Sequence, residues 1–258
     1  MDDERTPAMY GRDETLARAQ RPLSEALAGR GRLVLLAGEA GIGKTRLLRA
    51  VQEEAAAQGF ARWSAAASPQ DLELSGGLLL DLGHAMARST DTDVADRGTA
   101  LLADLLDVTG HSAPSGDAHR RRRLVVLDAV ERLASLAEQG PALLALEDLH
   151  WCDELSLEIV GQLARRLPSL SLCVVGTLRT DELHQEAPAR SWRARMLLQR
   201  LAVELRLSPL DREQCEAMVR DLLGGAVPPG AWSSWSTSGR AGFRCMSRSW
   251  SAPPRRGT

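Results

Sequence analysis

A glycine-rich segment near the start of the chain has the residue types and the spacing of a phosphate-binding loop. Residues 38–45 read Gly-Glu-Ala-Gly-Ile-Gly-Lys-Thr and match the pattern GxxxxGK[ST] at every fixed position. The three glycines let the backbone wrap closely around a phosphate, so that several N–H groups face its oxygens and the dipole of the following helix adds positive potential. The residues predicted to line this loop are Gly38, Glu39, Ala40, Gly41, Ile42, Gly43, Lys44 and Thr45.

Two side chains of the loop would carry its chemistry. We expect Lys44 to reach the β- and γ-phosphates of ATP and Thr45 to bind Mg²⁺. Lys44 is also the only lysine in the chain, since every other position of this charge type is arginine. Keeping a flexible ammonium at this one place indicates a need for a compact point charge. The loop follows a predicted strand and precedes a predicted helix, which disfavours a chance glycine-rich turn.

A pair of carboxylates closes an apolar run farther along the chain. Residues 142–146 read Ala-Leu-Leu-Ala-Leu, and Glu147 and Asp148 follow directly. Nucleotide hydrolysis uses one acid to hold Mg²⁺ through water and a second to polarise the attacking water. We therefore assign Glu147 to magnesium and Asp148 to the water. An exposed acidic turn is the alternative, and the company of a phosphate loop argues against it.

Alternating strands and helices must position these two groups. A strand buried on both faces is predicted over 33–37, and further strands are predicted over 60–67, 142–146, 172–177 and 203–207. Helices are predicted over 13–29, 45–57, 155–166 and 191–201, and over 211–223 with Asp211 as N-cap. Such alternation predicts an α/β fold with a parallel sheet covered by helices on both faces.

The predicted organisation is one ATPase domain over 1–208 that carries a helical insertion at about 68–140. Within the insertion, helical periodicity covers 78–87 and 100–106, a loop is expected at 108–117, and a long helix follows. The buried stripe of this long helix is predicted to contain Val126, Val130, Leu133 and Ala137. Residues 209–230 would start a smaller helical lid, and 231–258 have no helical or strand period.

Composition argues against several classes of partner. The 34 acidic and 32 basic residues leave a formal charge of -2, which gives no long-range attraction to nucleic acid or membrane. An acidic start and the lack of an apolar run of about 20 residues predict neither a secretion signal nor a membrane span, and hence a cytoplasmic protein. Its cysteines are too far apart for a metal clip, so we expect reduced, mostly buried thiols at Cys152, Cys173, Cys215 and Cys245.

Two other polar segments have competing interpretations. His150 and Trp151 could contact a partner or the nucleotide, but a His-Trp pair after a buried strand more often packs against neighbouring helices, which we favour. The basic run 119–123, His-Arg-Arg-Arg-Arg, could bind anions or nucleic acid. We favour a solvated helix start in an otherwise neutral chain. Asp181 is expected in a surface loop.

Three segments resemble one family of ATPases. Residues 147–153, Glu-Asp-Leu-His-Trp-Cys-Asp, look like the "(D/E)DLHWAD" segment of the AAA-like signal-transducing (STAND) ATPases in large LuxR-type transcriptional regulators. Residues 10–13, Tyr-Gly-Arg-Asp, resemble their "GR-E" entry signature, and residues 175–179, Val-Gly-Thr-Leu-Arg, resemble their "GTYR" strand end. The likeness covers about residues 8 to 225. Glu147 stands where the family more often has Asp, and Cys152 where it has Ala.

This resemblance implies a three-layer P-loop NTPase of the ASCE/AAA-like type with a truncated lid. It implies that Arg179 senses the γ-phosphate and that Arg12 lies beside the adenine. By the same resemblance the chain is an ATP- and Mg²⁺-binding switch that hydrolyses ATP slowly, with self-association or an effector domain as further partners. The alternatives are the ATPase segment of an adenylate cyclase or of a protein kinase regulator, a small-molecule kinase, and a remnant left by mutation.

The tail after about Gly230 departs from the family, whose lid continues there with a "GG-x-P" turn and a "VEEL" helix. Arginine in place of lysine, with abundant Ala, Gly and Pro, indicates GC-rich codons. Reading residues 231–251 in such codons from the third base of the Ala231 codon gives L-E-L-V-E-H-E-R-A-G-G-I-P-L-Y-V-E-E-L-V-R. Most amino acids have several synonymous codons, and the choice among them accounts for part of this agreement. Trp and Met have one codon each, which limits that choice.

We therefore predict that the coding DNA of residues 231–258 spells the family's lid in the shifted frame. The measurement is the nucleotide sequence of the gene across and beyond the Ala231 codon. A shifted frame without the turn and helix, or with an immediate stop, would show that the tail is a divergent terminus.

Overall fold

The architecture comes from a computed structural model, which describes residues 11–110, 115–181 and 187–222 of the 258. Five parallel strands form one sheet in the order β2-β3-β4-β1-β5. The strands are β1 (Leu33–Gly38), β2 (Ala61–Ala66), β3 (Ala142–Glu147), β4 (Leu172–Arg179) and β5 (Ala202–Arg206). The helices are α1 (Asp13–Leu27), α2 (Lys44–Ala57), α3 (Gly77–Ala87), α4 (Thr92–Gly110), α5 (Ser115–Ala134), α6 (Glu154–Arg166), α7 (Pro188–Leu198) and α8 (Arg212–Leu222). The predicted α/β class is confirmed.

Three layers follow from the alternation of side chains along the buried strands. In β1, Leu33, Leu35 and Ala37 join the core beneath the helices of the insertion and α6 and α7. Val34 and Leu36 point to the opposite face and pack with residues of α1 and α2. Because both faces of β1 are covered, its whole sequence is apolar, and each fully buried leucine contributes about 1.5–3 kcal/mol to the free energy of unfolding.

The register of the sheet aligns the carboxyl ends of the strands that carry the candidate residues. In this register Gly38 at the end of β1 is the partner of Arg179 at the end of β4. Glu147 at the end of β3 is the partner of Ala66 at the end of the neighbouring strand β2. Ligands of open parallel sheets bind at this edge, so the predicted site residues converge where the fold favours binding.

The helical insertion lies between β2 and β3 and consists of α3, α4 and α5. Its first two helices approach closely through a pair of glycines. A Cβ added to Gly83 would lie 2.9 Å from the side chain of Leu102, and one added to Gly98 would lie 2.5 Å from the backbone nitrogen of Ala87. These contacts leave no room for a larger residue at either position.

Two details of the predicted insertion are wrong. The loop expected at 108–117 is largely helical, because α4 runs to Gly110 and α5 begins at Ser115, with only 111–114 outside the described residues. Leu101 and Leu105 bury completely and hold α4 in place, so packing overrides the weak helix propensity of the Gly-, Ser- and Pro-rich stretch. In the stripe of the long helix, Val126, Val130 and Leu133 are buried as predicted. Ala137 belongs instead to a short 3-10 turn, Ser135–Ala137, and is partly buried.

The described cysteines are buried, in agreement with the expectation of mostly buried thiols. They are Cys152, Cys173 and Cys215, while Cys245 lies outside the described residues. Burial raises the pKa of the Cys173 thiol to about 12, with a smaller effect from the Glu25 carboxylate. The pKa of Cys152 is also raised, by burial first and then by nearby carboxylates. Thiolates are therefore disfavoured at both sites.

In the part of the chain that the structure describes, no helix is both long and apolar enough to cross a bilayer.

A buried carboxylate joins the insertion to the segment that follows the acidic strand end. Asp153 caps α6, and its Oδ1 accepts hydrogen bonds from the N–H groups of Leu155 and Ser156 at 2.9 and 3.0 Å. The same oxygen accepts a third bond, at 2.8 Å, from the N–H of Gly76, which precedes α3. Asp153 is only 5% exposed. Its sequence position gave no hint of the long-range bond to Gly76.

We predict that Asp153→Ala lowers the free energy of unfolding by about 2–4 kcal/mol, because it removes a helix cap and leaves three backbone donors without their acceptor. Equilibrium urea denaturation measures this change. Asp96, which is exposed on α4, is the matched control, and Asp96→Ala should change stability by less than about 0.5 kcal/mol. Equal stability of the two variants would contradict the assigned role of Asp153.

Candidate nucleotide-binding site

The predicted phosphate loop has the backbone geometry that its glycines suggested. It connects β1 to α2, and its Gly41 and Gly43 adopt φ values of 73° and 102°. A side chain at either position would be strained in this left-handed region. A Cβ added to either residue would meet no atom within 4 Å, so the space beside the loop is open. The loop is therefore shaped as a cradle into which a phosphate group fits.

Lys44 and Thr45 occupy the first turn of α2. Lys44 is only 6% exposed, and its Nζ donates hydrogen bonds to the carbonyl oxygens of Gly38 at 3.0 Å and Glu39 at 2.8 Å. The ammonium is thus held over the concave side of the loop. The hydroxyl of Thr45 donates a 2.9 Å hydrogen bond to Oε2 of Glu147. This bond unites the two motifs that the sequence presented separately.

The donor set around Thr45 fits magnesium. Mg²⁺ prefers hard oxygen ligands, keeps several waters, and in nucleotide sites is held by one or two protein oxygens together with phosphates. The hydroxyl of Thr45 and the carboxylate of Glu147 supply such oxygens side by side. Among the described residues there is no cluster of three or more His, Cys, Asp or Glu side chains that could hold a metal by itself. A cation at this place would depend on the nucleotide for part of its coordination.

Asp148 is held in an unusual backbone conformation at the end of β3. Its φ of 55° and ψ of 44° lie in the left-handed region, which costs free energy for a residue other than glycine. Its N–H donates a 2.9 Å hydrogen bond to Oγ1 of Thr177, which is buried in β4. The Thr177 hydroxyl therefore helps to hold the backbone of Asp148 in this conformation. Sequence reasoning gave Thr177 no role, although a hydroxyl within an apolar central strand was a usable signal.

Arg179 and Asp148 lie near each other beside the loop. The Nε atom of Arg179 is 3.9 Å from Oδ1 of Asp148, and Nδ1 of His150 is 3.8 Å from the same oxygen. The segment after Arg179 runs along the loop, because the N–H of Thr180 donates to the carbonyl of Gly38 at 3.3 Å. The structure thus brings together the predicted residues Lys44, Thr45, Glu147, Asp148 and Arg179.

Asp181 is exposed, as expected for a surface loop, but it also contacts the phosphate loop. Its Oδ2 accepts a 3.4 Å hydrogen bond from the N–H of Ala40. The sequence gave no signal for this contact, because the two residues meet only through the pairing of β1 with β4. An acid thus stands at the edge of the candidate site.

Arg12 lies at the opposite side of the loop and is 9% exposed. Its Nη2 atom donates to the carbonyl of Ile42 at 3.2 Å and to that of Ser208 at 2.6 Å. Burial removes water from the guanidinium and lowers the pKa of Arg12. The adenine contact implied for Arg12 stays a prediction. Tyr10, the first residue of the entry signature, lies outside the described residues.

The two segments with competing interpretations have structural roles. The side chain of His150 is buried, Trp151 packs against the main core, and their ring centroids are 5.0 Å apart. The basic run lies within α5, where Arg122 forms an ion pair with Glu158 at 2.9 Å. These positions agree with the packing and helix-start interpretations.

The parallel sheet, the glycine-rich loop after β1 and the acidic end of β3 define a P-loop NTPase of the α/β class. The chain belongs to the AAA ATPase domain family, whose sequence model matches residues 8–175. An uncharacterized protein of Rhizobium meliloti (strain 1021) is 26% identical in an alignment 212 residues long, which covers 75% of this chain and 20% of that protein. The chain therefore spans about a fifth of the length of this curated relative.

The chain also matches solved structures of other proteins. Cdc6p from Pyrobaculum aerophilum matches with a TM-score of 0.52 and 17% identity, over 89% of this chain and 54% of that one. The Orc1 protein of Aeropyrum pernix, solved in complex with DNA, matches with a TM-score of 0.47 and 19% identity, over 88% of this chain and 53% of that one. At such identities the likeness to Cdc6p shows the fold alone.

We predict that an amine-directed reagent modifies one side chain, Lys44, together with the α-amino group, and that Mg·ATP slows the reaction at Lys44 only. The single lysine makes the result unambiguous, and the α-amino group is an internal control. Mass spectrometry of digested protein gives both rates. Labelling of Lys44 at the same rate in saturating Mg·ATP would contradict its place at the phosphates.

Proposed function

We propose that this domain binds ATP with Mg²⁺, hydrolyses it slowly, and acts in the cytoplasm as the nucleotide switch of a LuxR-type transcriptional regulator. The observation that carries the proposal is the 2.9 Å hydrogen bond from Thr45 Oγ1 to Glu147 Oε2. It joins the phosphate loop to the acidic strand end, and a metal–nucleotide site needs both at one place. Membership of the AAA ATPase domain family supports nucleotide binding.

Each residue of the loop has a binding role in this proposal. The backbone N–H groups of the loop, from Gly38 to Thr45, would donate to phosphate oxygens, aided by the dipole of α2. Lys44 Nζ donates to two loop carbonyls. It would turn to the phosphates when the phosphate oxygens come within reach as acceptors. Thr45 and Glu147 would hold magnesium, which supplies neutralising charge to the phosphates when bound.

The acid that activates water is Asp148 in this proposal. The Thr177 hydroxyl holds the backbone N–H of Asp148, and the Asp148 carboxylate would accept the proton of an attacking water. Arg179, whose Nε lies 3.9 Å from Asp148 Oδ1, would respond to the γ-phosphate. The assignment of Arg179 as a sensor rests on the resemblance to the "GTYR" strand end.

The regulatory part of the proposal rests on three short segments. Residues 147–153, 10–13 and 175–179 resemble those of the STAND ATPases in LuxR-type regulators. Because the chain spans a fifth of its curated relative, a longer protein could carry the effector domain that such a switch controls. We place self-association and effector contact in that longer protein, and no direct nucleic-acid contact in this domain.

We predict different defects for the two acids. Glu147→Ala should weaken Mg·ATP binding by at least about ten-fold, because a magnesium ligand acts on the bound ground state. Asp148→Asn should lower kcat by about 10²–10⁴-fold with a smaller change in affinity, because loss of a general base mainly slows chemistry. Phosphate release and calorimetric titration measure the two quantities.

The matched control is Asp96→Asn, an exposed acid on α4 far along the chain from the site. It should retain the parent kcat and affinity. Hydrolysis by Asp148→Asn at the parent rate would show that Asp148 is not the base. Unchanged Mg·ATP affinity in Glu147→Ala would remove Glu147 from the magnesium site.

A further inference from the structure

A buried arginine connects three parts of the chain that are distant in sequence. Arg12 belongs to the entry segment before α1, and its Nη2 atom donates to Ile42 O in the phosphate loop and to Ser208 O between β5 and α8. Arg12 as a whole is 9% exposed. One nitrogen thus bridges the loop that would hold phosphate and the segment that leads into the lid helix.

The neighbouring contacts extend this bridge into α8. Gly11 has a φ of 60°, and a Cβ added to it would lie 2.1 Å from Cδ of Gln214. Gln214 forms a reciprocal cap with Asp211 at the start of α8, through bonds of 2.8 and 3.0 Å. Gly11 therefore lies against the side chain of Gln214 in the first turn of α8, beside the bond from Arg12 to Ser208.

The segment before α8 is also anchored to the strand that leads into the loop. The N–H of Leu207 donates to Ala37 O at 2.8 Å, and a Cβ on Gly38 would lie 3.2 Å from Leu207 O. The end of β1 and the start of the lid thus share a rigid support. The side chain of Arg12 adds a second connection between the loop and this segment.

Loss of either carbonyl acceptor would leave a buried cation incompletely hydrogen-bonded, which is costly. The Ile42 carbonyl belongs to the same peptide group as the N–H of Gly43, so a phosphate that accepts a hydrogen bond from this N–H would change the direction of the carbonyl. A buried guanidinium that follows this carbonyl must shift relative to Ser208. The two acceptors are therefore energetically coupled through one side chain.

We propose that Arg12 is a positioning residue that couples occupancy of the phosphate loop to the stability of α8. This inference rests on the proposed function, because it requires nucleotide binding at the loop. It assigns to Arg12 a task different from contact with the adenine, since Arg12 reports the state of the loop to the lid. The coupling uses backbone acceptors, so it does not require a particular side chain in the loop or lid.

The test is hydrogen exchange of the whole chain, followed by mass spectrometry, with and without saturating Mg·ATP. In the parent, Mg·ATP should slow exchange in peptides of the loop and, by about ten-fold, in peptides of α8, within the usual range of coupling between sites. Arg12→Met keeps the buried stem but removes the donors, and should abolish the protection of α8 when nucleotide is saturating. Arg18→Met, at an exposed position on α1, is the matched control and should behave like the parent.

Arg12→Lys keeps the charge on a shorter stem with a single ammonium, and should reduce the protection of α8 by at least about three-fold. Arg12→Lys tests the proposal if Arg12→Met fails to fold. Parent-level protection of α8 in the folded Arg12 variants would overturn the proposal, as would a parent whose loop is protected by Mg·ATP while α8 does not respond.

Two further outcomes identify different failures. If the loop of the parent is not protected at all, nucleotide binding fails and the proposed function falls together with this inference. If Arg12→Met lowers the preference for ATP over GTP but keeps the protection of α8, Arg12 contacts the base and does not couple loop to lid.

Discussion

The candidate site depends on one hydrogen bond between side chains that are 102 residues apart, Thr45 and Glu147. The bond can form only if β1 and β3 end at the same edge of the sheet with β4 between them. These three strands are covered on both faces, and apart from Thr177 their buried residues are apolar. The core thus supports the strand ends, so that the hydroxyl of Thr45 in the first turn of α2 meets the carboxylate at the end of β3.

Local sequence patterns predicted the buried strands and the phosphate loop. The apolar runs of β1, β3 and β4 indicated buried parallel strands, and the loop between β1 and α2 was evident from its glycines. The extent of α4 and α5 was not predictable in this way, because packing at Leu101 and Leu105 stabilises a helix that propensity alone disfavours near its end.

Contacts between residues that are distant in the sequence could not be predicted, for a related reason. The bond from Asp148 N–H to Thr177, that from Gly76 N–H to Asp153, and the bridge from Arg12 to Ser208 each join residues whose proximity follows from the packing of the whole sheet. The sequence identified Asp148 and Arg12 as candidate site residues, but it did not identify the groups to which they are hydrogen-bonded. Residue types can suggest chemistry, while the orientation of the side chains depends on tertiary structure.

The most direct test of the account is calorimetric titration of ATP, with and without Mg²⁺, into the parent and two Thr45 variants. Thr45→Ser keeps the hydroxyl and Thr45→Val keeps the shape. The account predicts magnesium-dependent binding in the parent and in Thr45→Ser, and a loss of at least about ten-fold in Mg·ATP affinity in Thr45→Val. Parent affinity in Thr45→Val, or ATP binding that does not depend on magnesium, would contradict the claim that Thr45 and Glu147 together form the metal–nucleotide site.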